Sequence, residues 1–398
     1  GPTFALAGYH TAPMEIVYIN DQLLPTDESD TEQFMLTVAA LGAAGASVKL
    51  LLPQRNNPPG PSFSELISYY RIRPSFRLES VRSLFPTHRI LEKTAHAVAC
   101  FRRGKHKTTG IIHSRNLLAI LLGLFSTTAG VAYETYLPWP LQYPILNPFF
   151  KLIAGHHRFL GIIAHSRLTA SSFQKIGVPA EKLLVAYNGY CPERISPRID
   201  KPEARAAIGI VHDRPLVVYT GHVSEGKGLE MVLNMARRMP ETEFYIVGST
   251  RQTSIEHQAK RIPNVSVVPW QPFNKVLPYL YAADVLLIPP TARPLLKEGR
   301  TVLPLKTFLY MAAGRAILAP STLDVCEILQ DGKNACLVPP DDLSKAVQGL
   351  RQLLSDHKRM SRLERKAEID ALNYTYDRRS RLILDFFSSR LQRLQQHG

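Results

Sequence analysis

The run Leu216-Val217-Val218-Tyr219-Thr220-Gly221-His222-Val223-Ser224-Glu225-Gly226-Lys227-Gly228 decides the fold. Its first five residues are aliphatic, β-branched or aromatic and read as a buried strand. A loop with three glycines follows, and Leu229–Met239 then reads as a helix. Strand, glycine loop and helix in that order make a βα unit of a parallel sheet. Glycines let the backbone approach a ligand closely, and a helix start favours an anion. Lys227 adds a point charge suited to phosphate, with His222 placed as a second donor. The run is neither G-x-G-x-x-G nor G-x-x-x-x-G-K-[ST], and by itself it also fits an ordinary tight turn.

The alternation extends in both directions. Downstream, strands are expected at Phe244–Val247, Val265–Val268, Val285–Ile288, Ala316–Ala319 and Ala335–Val338, with helices at Thr307–Ala313 and Leu343–Leu354. Upstream, strands are expected at Glu15–Asn20, Ser47–Leu52, Gly110–His113, Gly130–Glu134, Gly161–Ala164 and Leu183–Tyr187. Helices read from Thr31–Leu41, Leu117–Phe125 and from Leu168 onward. Residues 190–203 are rich in proline and charge and make the best linker candidate. The fold class is therefore α/β, with two open parallel-sheet halves. Ligands of such sheets bind at the carboxyl ends of the strands, and a cleft is expected between the halves. The expected domains are 14–195, 196–372 and a returning helix in 373–398. Gly1-Pro2 looks like a tag scar, so residues 1–13 are left aside and the natural chain is expected to begin at Met14.

With 398 residues, 45% of them hydrophobic and 20% charged, the chain is globular and long enough to bury its own cores. Cys100, Cys191, Cys326 and Cys336 form no C-x-x-C pair, and no histidines stand at zinc-ligand spacing. A reducing, cytoplasmic compartment with no structural metal follows as the expectation. The net charge of +15 is uneven: residues 1–50 are acidic, whereas eleven Lys/Arg lie between Arg71 and Arg115 against only Glu79 and Glu92. Such a stripe points to a polyanionic partner or to a solvated basic face. No recognition helix or base-stacking module accompanies it, so no nucleic-acid partner is expected. The apolar run Leu117–Phe125 is interrupted by Ser126-Thr127-Thr128 and Gly130, which argues for a buried helix and a strand rather than a membrane span.

A second motif, Leu303-Pro304-Leu305-Lys306-Thr307-Phe308-Leu309-Tyr310-Met311-Ala312-Ala313-Gly314-Arg315, reads as another helix start. Pro304 suits the first helical position and Gly314 a C-cap. The free N–H groups near Leu305 and Lys306 offer an anion site, although a normal βα connection would look the same.

Together these residues resemble the retaining glycosyltransferases of family four, which have the GT-B fold. Gly221–Gly228 matches that family's G-[RH]-x-x-x-x-K-G loop, and Leu303–Ala316 its P-L-K-x-F-E-Y-M-A-x-G segment. Ala283–Pro289, Glu327–Pro340, Val247-Gly248 and Ala186–Gly189 match further segments, and Tyr133-Glu134-Thr135-Tyr136 resembles a Y-E-x-H pattern. The resemblance implies two Rossmann-like domains facing across a cleft. A UDP- or GDP-linked sugar would lie in the C-terminal domain, and the N-terminal domain would hold the acceptor. It implies that His222 and Lys227 contact the diphosphate beside Gly221, that backbone around Trp270 meets the base, and that amides at Leu305 and Lys306 meet phosphate or sugar. Glu134 joins Lys227 and His222 as a catalytic candidate, with Glu134 and Tyr136 on the acceptor side. Thr301 and Leu309 stand where the family usually carries a pair of glutamates in the donor site.

The resulting expectation is a hexosyltransferase needing no metal or cofactor and using an NDP-sugar as donor substrate. It would act on a glycan or lipid-linked acceptor in surface polysaccharide or glycolipid assembly. The other reading is a catalytically silent GT-B relative acting as a partner subunit or scaffold, which Thr301 and Leu309 favour. Tyr136–Phe150 carries five aromatics and four prolines. With the basic stripe, it reads either as a segment dipping into an anionic membrane surface or as a proline-rich loop packed on the core. A cytoplasmic, peripherally membrane-associated protein is expected.

Overall fold

In a computed structural model the protein is described at residues 12–26, 28–54, 60–82, 89–250, 252–296 and 303–397. The strands are β1 (Glu15–Ile19), β2 (Ser47–Gln54), β3 (Arg77–Arg82), β4 (Ile111–Ser114), β5 (Gly130–Thr135), β6 (Phe159–Ala164), β7 (Leu183–Val185), β8 (Leu216–Thr220), β9 (Glu243–Ser249), β10 (Val265–Pro269), β11 (Val285–Leu287), β12 (Ala316–Pro320) and β13 (Cys336–Val338). They form a seven-stranded sheet of order β3-β2-β1-β4-β5-β6-β7 and a six-stranded sheet of order β10-β9-β8-β11-β12-β13. The pairings run parallel. The fold class read from the sequence is borne out.

The chain divides into two compact units. The first comprises the described residues up to Glu134, Ile153–Gly161 and those from Ile383 on. Its central strand β1 is buried from Ile16 to Ile19, as a parallel strand covered on both faces must be. The apolar run becomes the helix Leu117–Ser126, capped at its start by the Asn116 side chain, which accepts from the Ala119 amide at 3.1 Å. At its other end the Arg158 guanidinium donates to the carbonyls of Leu124 and Thr127. No helix among the described residues is long and apolar enough to cross a membrane. The later residues of the tail helix Tyr376–His397 also pack into this unit. Phe387 stands edge-on to His113, and Arg390 Nε donates to the Leu160 carbonyl at 3.0 Å.

The second unit comprises Thr135–Leu152 and Ile162–Leu382. Its strands alternate between two cores. Leu216 and Val218 of β8 face one, with Leu286, Ile317 and the helices Phe273–Ala282 and Lys306–Ala313. Val217 and Tyr219 face the other, with Leu287, Leu318 and the helices Leu229–Arg238 and Leu343–Ser355. Each fully buried aliphatic side chain contributes about 1.5–3 kcal/mol, so the two cores dominate this unit's stability.

Some local readings change. β3 and the helix Arg89–Arg102 were hidden within the basic stripe, whose charges mask their apolar positions. The stripe is no single face: Lys93 pairs with Asp21, Lys105 with Glu79, and Arg115 with Glu134. The proline-rich stretch 190–203 is anchored at two buried residues and otherwise largely exposed. Tyr190 is buried in a core, and the guanidinium of Arg194 lies 4.3 Å from the ring centre of Phe273. Tyr136–Phe150 contains the short helix Trp139–Gln142 and the start of Asn147–Gly155. There Phe150 is core, packed edge-on against Phe173.

His96, on the helix Arg89–Arg102, is buried, and its ring contacts Cys100 Sγ. Burial pushes its pKa down to about 4, against the opposing pull of Asp21, the carbonyls of Leu51 and Asn20, and Glu92. The unfolded chain therefore binds a proton near pH 6.5 that the folded chain refuses until about pH 4. Stability is complete above the unfolded value and falls as pH drops through this window. Between pH 7 and pH 5 the loss from this group is about 2 kcal/mol. Urea unfolding of wild type and His96→Phe at both pH values checks this: the pH dependence should flatten in the variant.

Candidate functional site

The second unit brings its glycine loop, the end of β9 and one helix start together at the carboxyl end of β8. The amide of Thr220 donates to Tyr310 Oη at 2.9 Å, tying β8 to the helix Lys306–Ala313. Gly221 follows with φ of 137°, and its amide donates to the Val247 carbonyl at 2.9 Å. A Cβ at position 221 would lie 2.8 Å from Lys306 Nζ, and one at Gly248 would lie 2.3 Å from the Gly221 carbonyl oxygen. Both positions favour glycine, Gly221 through its φ of 137° and Gly248 through its φ of 125° and the backbone oxygen that a side chain would strike.

Tyr219, the penultimate residue of β8, donates its hydroxyl to the His222 carbonyl at 2.9 Å. The Lys306 amine rests 3.7 Å from the centre of the Tyr219 ring. That cation–π contact is worth about 0.5–2 kcal/mol to a charged amine. Loss of water costs an ammonium several kcal/mol, so desolvation wins. Burial, reinforced by the nearby Lys227 charge, holds the Lys306 pKa well below the usual lysine value. The Tyr310 hydroxyl is pushed up to about 12 by burial and stays a neutral hydrogen-bonding group.

Lys227 closes the one-turn 3-10 segment Glu225–Lys227, its amide donating to the Ser224 carbonyl at 3.1 Å. His222 and Lys227 are half-buried. The helix Lys306–Ala313 begins at Leu305, whose side chain gives no cap. Pro304 thus stands just before the N-cap rather than at the first helical position, while Gly314 takes the left-handed C-cap as expected. A helix start carries roughly half a positive charge. The structure therefore gathers two lysines, a histidine and a helix start around glycine backbone, the composition an anionic ligand requires.

Other sequence-derived candidates fall as follows. Trp270 is exposed just after β10, its amide donating to the Ser249 carbonyl at 2.8 Å. Leu309 is half-buried and packs against the first of the two cores. Thr301 lies outside the described residues. Tyr136 is half-buried, its ring centre 6.1 Å from that of His165, and its carbonyl accepts from Thr169 Oγ1 at 2.9 Å. Among the described residues no group of His, Cys, Asp or Glu is arranged to hold a metal ion.

Glu134 stands apart from these, in the interior of the first unit. It is fully buried. Its carboxylate accepts from Tyr18 Oη at 2.9 Å, lies 3.2 Å from His113 Nε2 and accepts from Arg115 Nη2 at 3.3 Å. Arg115 also donates to the Gln33 side chain and keeps 15% of its own side chain exposed. Glu134 thus reaches solvent only through its partners. Sequence reading passed over Tyr18, His113 and Arg115. The available signal was that Arg115 directly follows β4, at the carboxyl end where open sheets bind ligands.

Two open parallel α/β sheets with a glycine loop after β8 define the GT-B class. HepE of Anabaena, solved with UDP-glucose, superposes with a TM-score of 0.70 at 17% identity, covering 94% of this chain and 100% of its own. Sucrose-phosphate synthase of Thermosynechococcus elongatus gives a TM-score of 0.77 at 16% identity over 94% of this chain and 98% of its own. Residues 214–356, which carry the loop and the helix start, match the family described as "Glycosyl transferases group 1". The sulfoquinovosyl transferase SQD2 of Arabidopsis thaliana is 23% identical over 284 residues, 67% of this chain and 54% of that protein. The chain spans about half the length of that relative. The resemblance read from the sequence is borne out: residues 214–356 match the group 1 glycosyltransferase family, and the chain has the GT-B fold.

Removing the buried carboxylate of Glu134 leaves Tyr18, His113 and Arg115 facing an empty acceptor position. Glu134→Ala should lower the unfolding free energy by about 3–5 kcal/mol, and Glu134→Gln by less, because the amide still accepts from Tyr18. Urea denaturation decides; an unchanged midpoint for the alanine variant would refute the network's structural importance.

Proposed function

We propose that the protein is a retaining glycosyltransferase that moves a hexose from a UDP- or GDP-linked sugar to a glycan or lipid-linked acceptor, without a metal. The observation that carries this reading is the gathering of Lys227, His222, Lys306 and an uncapped helix start around Gly221. In the reaction the bond from sugar C1 to the diphosphate oxygen breaks, and the acceptor hydroxyl forms the new bond to C1. The hydroxyl proton passes to a diphosphate oxygen. Negative charge grows on the leaving diphosphate, where positive groups already in place stabilise it without reorganising. Attack on the same face through an oxocarbenium-like state accounts for retention, since no side-chain nucleophile is assigned. HepE was solved in complex with UDP-glucose, which supports this donor class. Glu134 acts as a positioning residue, holding Arg115 at the end of β4 for the acceptor.

A thermal-shift panel with UDP, GDP, ADP and their sugars tests the donor site. One nucleotide should stabilise the wild type. Lys227→Ala, losing a charge-assisted contact of about 1.5–3 kcal/mol, should weaken that ligand roughly 10- to 100-fold. Absence of any shift at millimolar ligand would overturn the donor reading. Nucleotide binding without turnover would instead leave a silent relative.

The acceptor is proposed to be lipid-linked and met at an anionic, cytoplasmic membrane surface, in polysaccharide or glycolipid assembly. Support comes from Leu141, Tyr143, Ile145 and Leu152, all exposed within one stretch of the second unit, with Ile145 87% exposed and Lys151 beside Leu152. Exposed aliphatic and aromatic groups next to a cation suit a lipid interface. Vesicles containing anionic lipid should cosediment the protein, and Ile145→Asp should reduce the bound fraction several-fold. Equal sedimentation of variant and wild type would exclude this segment as the contact.

A further inference from the structure

Lys306 differs from the other cations of the glycine loop region in how it is housed. Its amine lies on the face of Tyr219, 2.8 Å from where a Cβ on residue 221 would stand. Among the described residues it has no carboxylate partner. The groups facing it are Lys227 from the loop, whose charge repels it, and the neutral phenol of Tyr219 from β8. Tyr310, on its own helix, is engaged with Thr220. An ammonium in this position has no carboxylate beside it among the described residues, and a second ammonium stands nearby. A diphosphate beside Gly221 would supply a counter-charge to the Lys306 amine.

We propose that binding of the diphosphate is coupled to uptake of a proton by the Lys306 amine, so that the site acquires its second full cation only when the anion arrives. The inference rests on the donor-site reading above and deepens it. In balanced form, the neutral amine, the nucleotide diphosphate and one proton from solvent give the bound complex with a charged amine. The direction of the Lys306 shift agrees with this arrangement. The coupling makes donor affinity fall as pH rises, because above the free-site value each binding event must draw a proton from a scarcer supply. A lysine serves here where an arginine would not, since a guanidinium stays charged throughout.

Titration calorimetry with UDP and with GDP tests the proposal at about pH 8. There the terminal phosphate, with a second pKa near 6, is already fully ionised and takes up no proton itself. Each titration is run in two buffers of different ionisation enthalpy. The expected result for wild type is uptake of a substantial fraction of a proton per nucleotide bound. Lys306→Arg should bind without uptake. Lys306→Met should bind about tenfold or more weakly, also without uptake. Circular dichroism and thermal unfolding of both variants establish that they are folded, and two chemically different replacements guard against failure of either one. Nucleotide binding with heats identical in the two buffers would overturn this inference and leave the donor site standing. Uptake that persists in Lys306→Arg would move the proton elsewhere, His222 being the nearest imidazole in the loop, and would also overturn it. If neither nucleotide binds at millimolar concentration, the donor reading falls and this inference with it.

Discussion

A Cβ on residue 221 would stand 2.8 Å from the Lys306 amine, and glycine leaves that space to the amine. The carbonyl of Gly221 in turn lies where a side chain on Gly248 would sit. Two strand ends and a helix start meet where Gly221 follows β8 and Gly248 stands one residue before the end of β9. The Thr220 amide bound to Tyr310, and the Tyr219 hydroxyl bound to the His222 carbonyl, then hold the loop to the helix on one side and to its own strand on the other. The cores on either face of the six-stranded sheet supply the rigidity that keeps these contacts in register.

The charge distribution follows from where the acids are engaged. Asp284 accepts from Lys201, Arg205 and the Leu216 amide at the foot of β8. Glu256 closes a capping box with Thr253 and also accepts from Ser249. Glu327 accepts from the amides of Arg167 and Leu168 at the start of the helix Arg167–Lys175, and from the Tyr187 hydroxyl. Glu134 is enclosed by Tyr18, His113 and Arg115. These carboxylates serve the fold, while lysine and histidine line the candidate donor site.

Enclosed and exposed acidic or basic groups consequently have separate parts. Glu134 is held by direct bonds and acts on anything outside through Arg115, which retains partial exposure. Lys306 shows the reverse case, an amine on an aromatic face whose charge burial and Lys227 disfavour, beside a site that awaits an anion. In both, the chemistry of a residue is set by what surrounds it more than by its own type.

The order of strands and helices was legible in the sequence, because buried parallel strands are continuous apolar runs and turns carry glycine. β8 and its glycine loop, the apolar helix before β5, and the helix ending at Gly314 all emerged from local pattern alone. β3 did not, since only Val81 of its residues is buried, and the helix Arg89–Arg102 did not, since it buries Glu92 and His96 while exposing Ile90 and Leu91. The loop's Gly221, His222 and Lys227 could be named from spacing, and Lys306 from the helix start. That the Lys306 amine reaches back onto Tyr219, and that Glu134 lies inside a cage of Tyr18, His113 and Arg115, was decided only by the tertiary structure. These partners are far apart along the chain, and local sequence encodes backbone propensity and periodicity but not which distant side chains share one desolvated space.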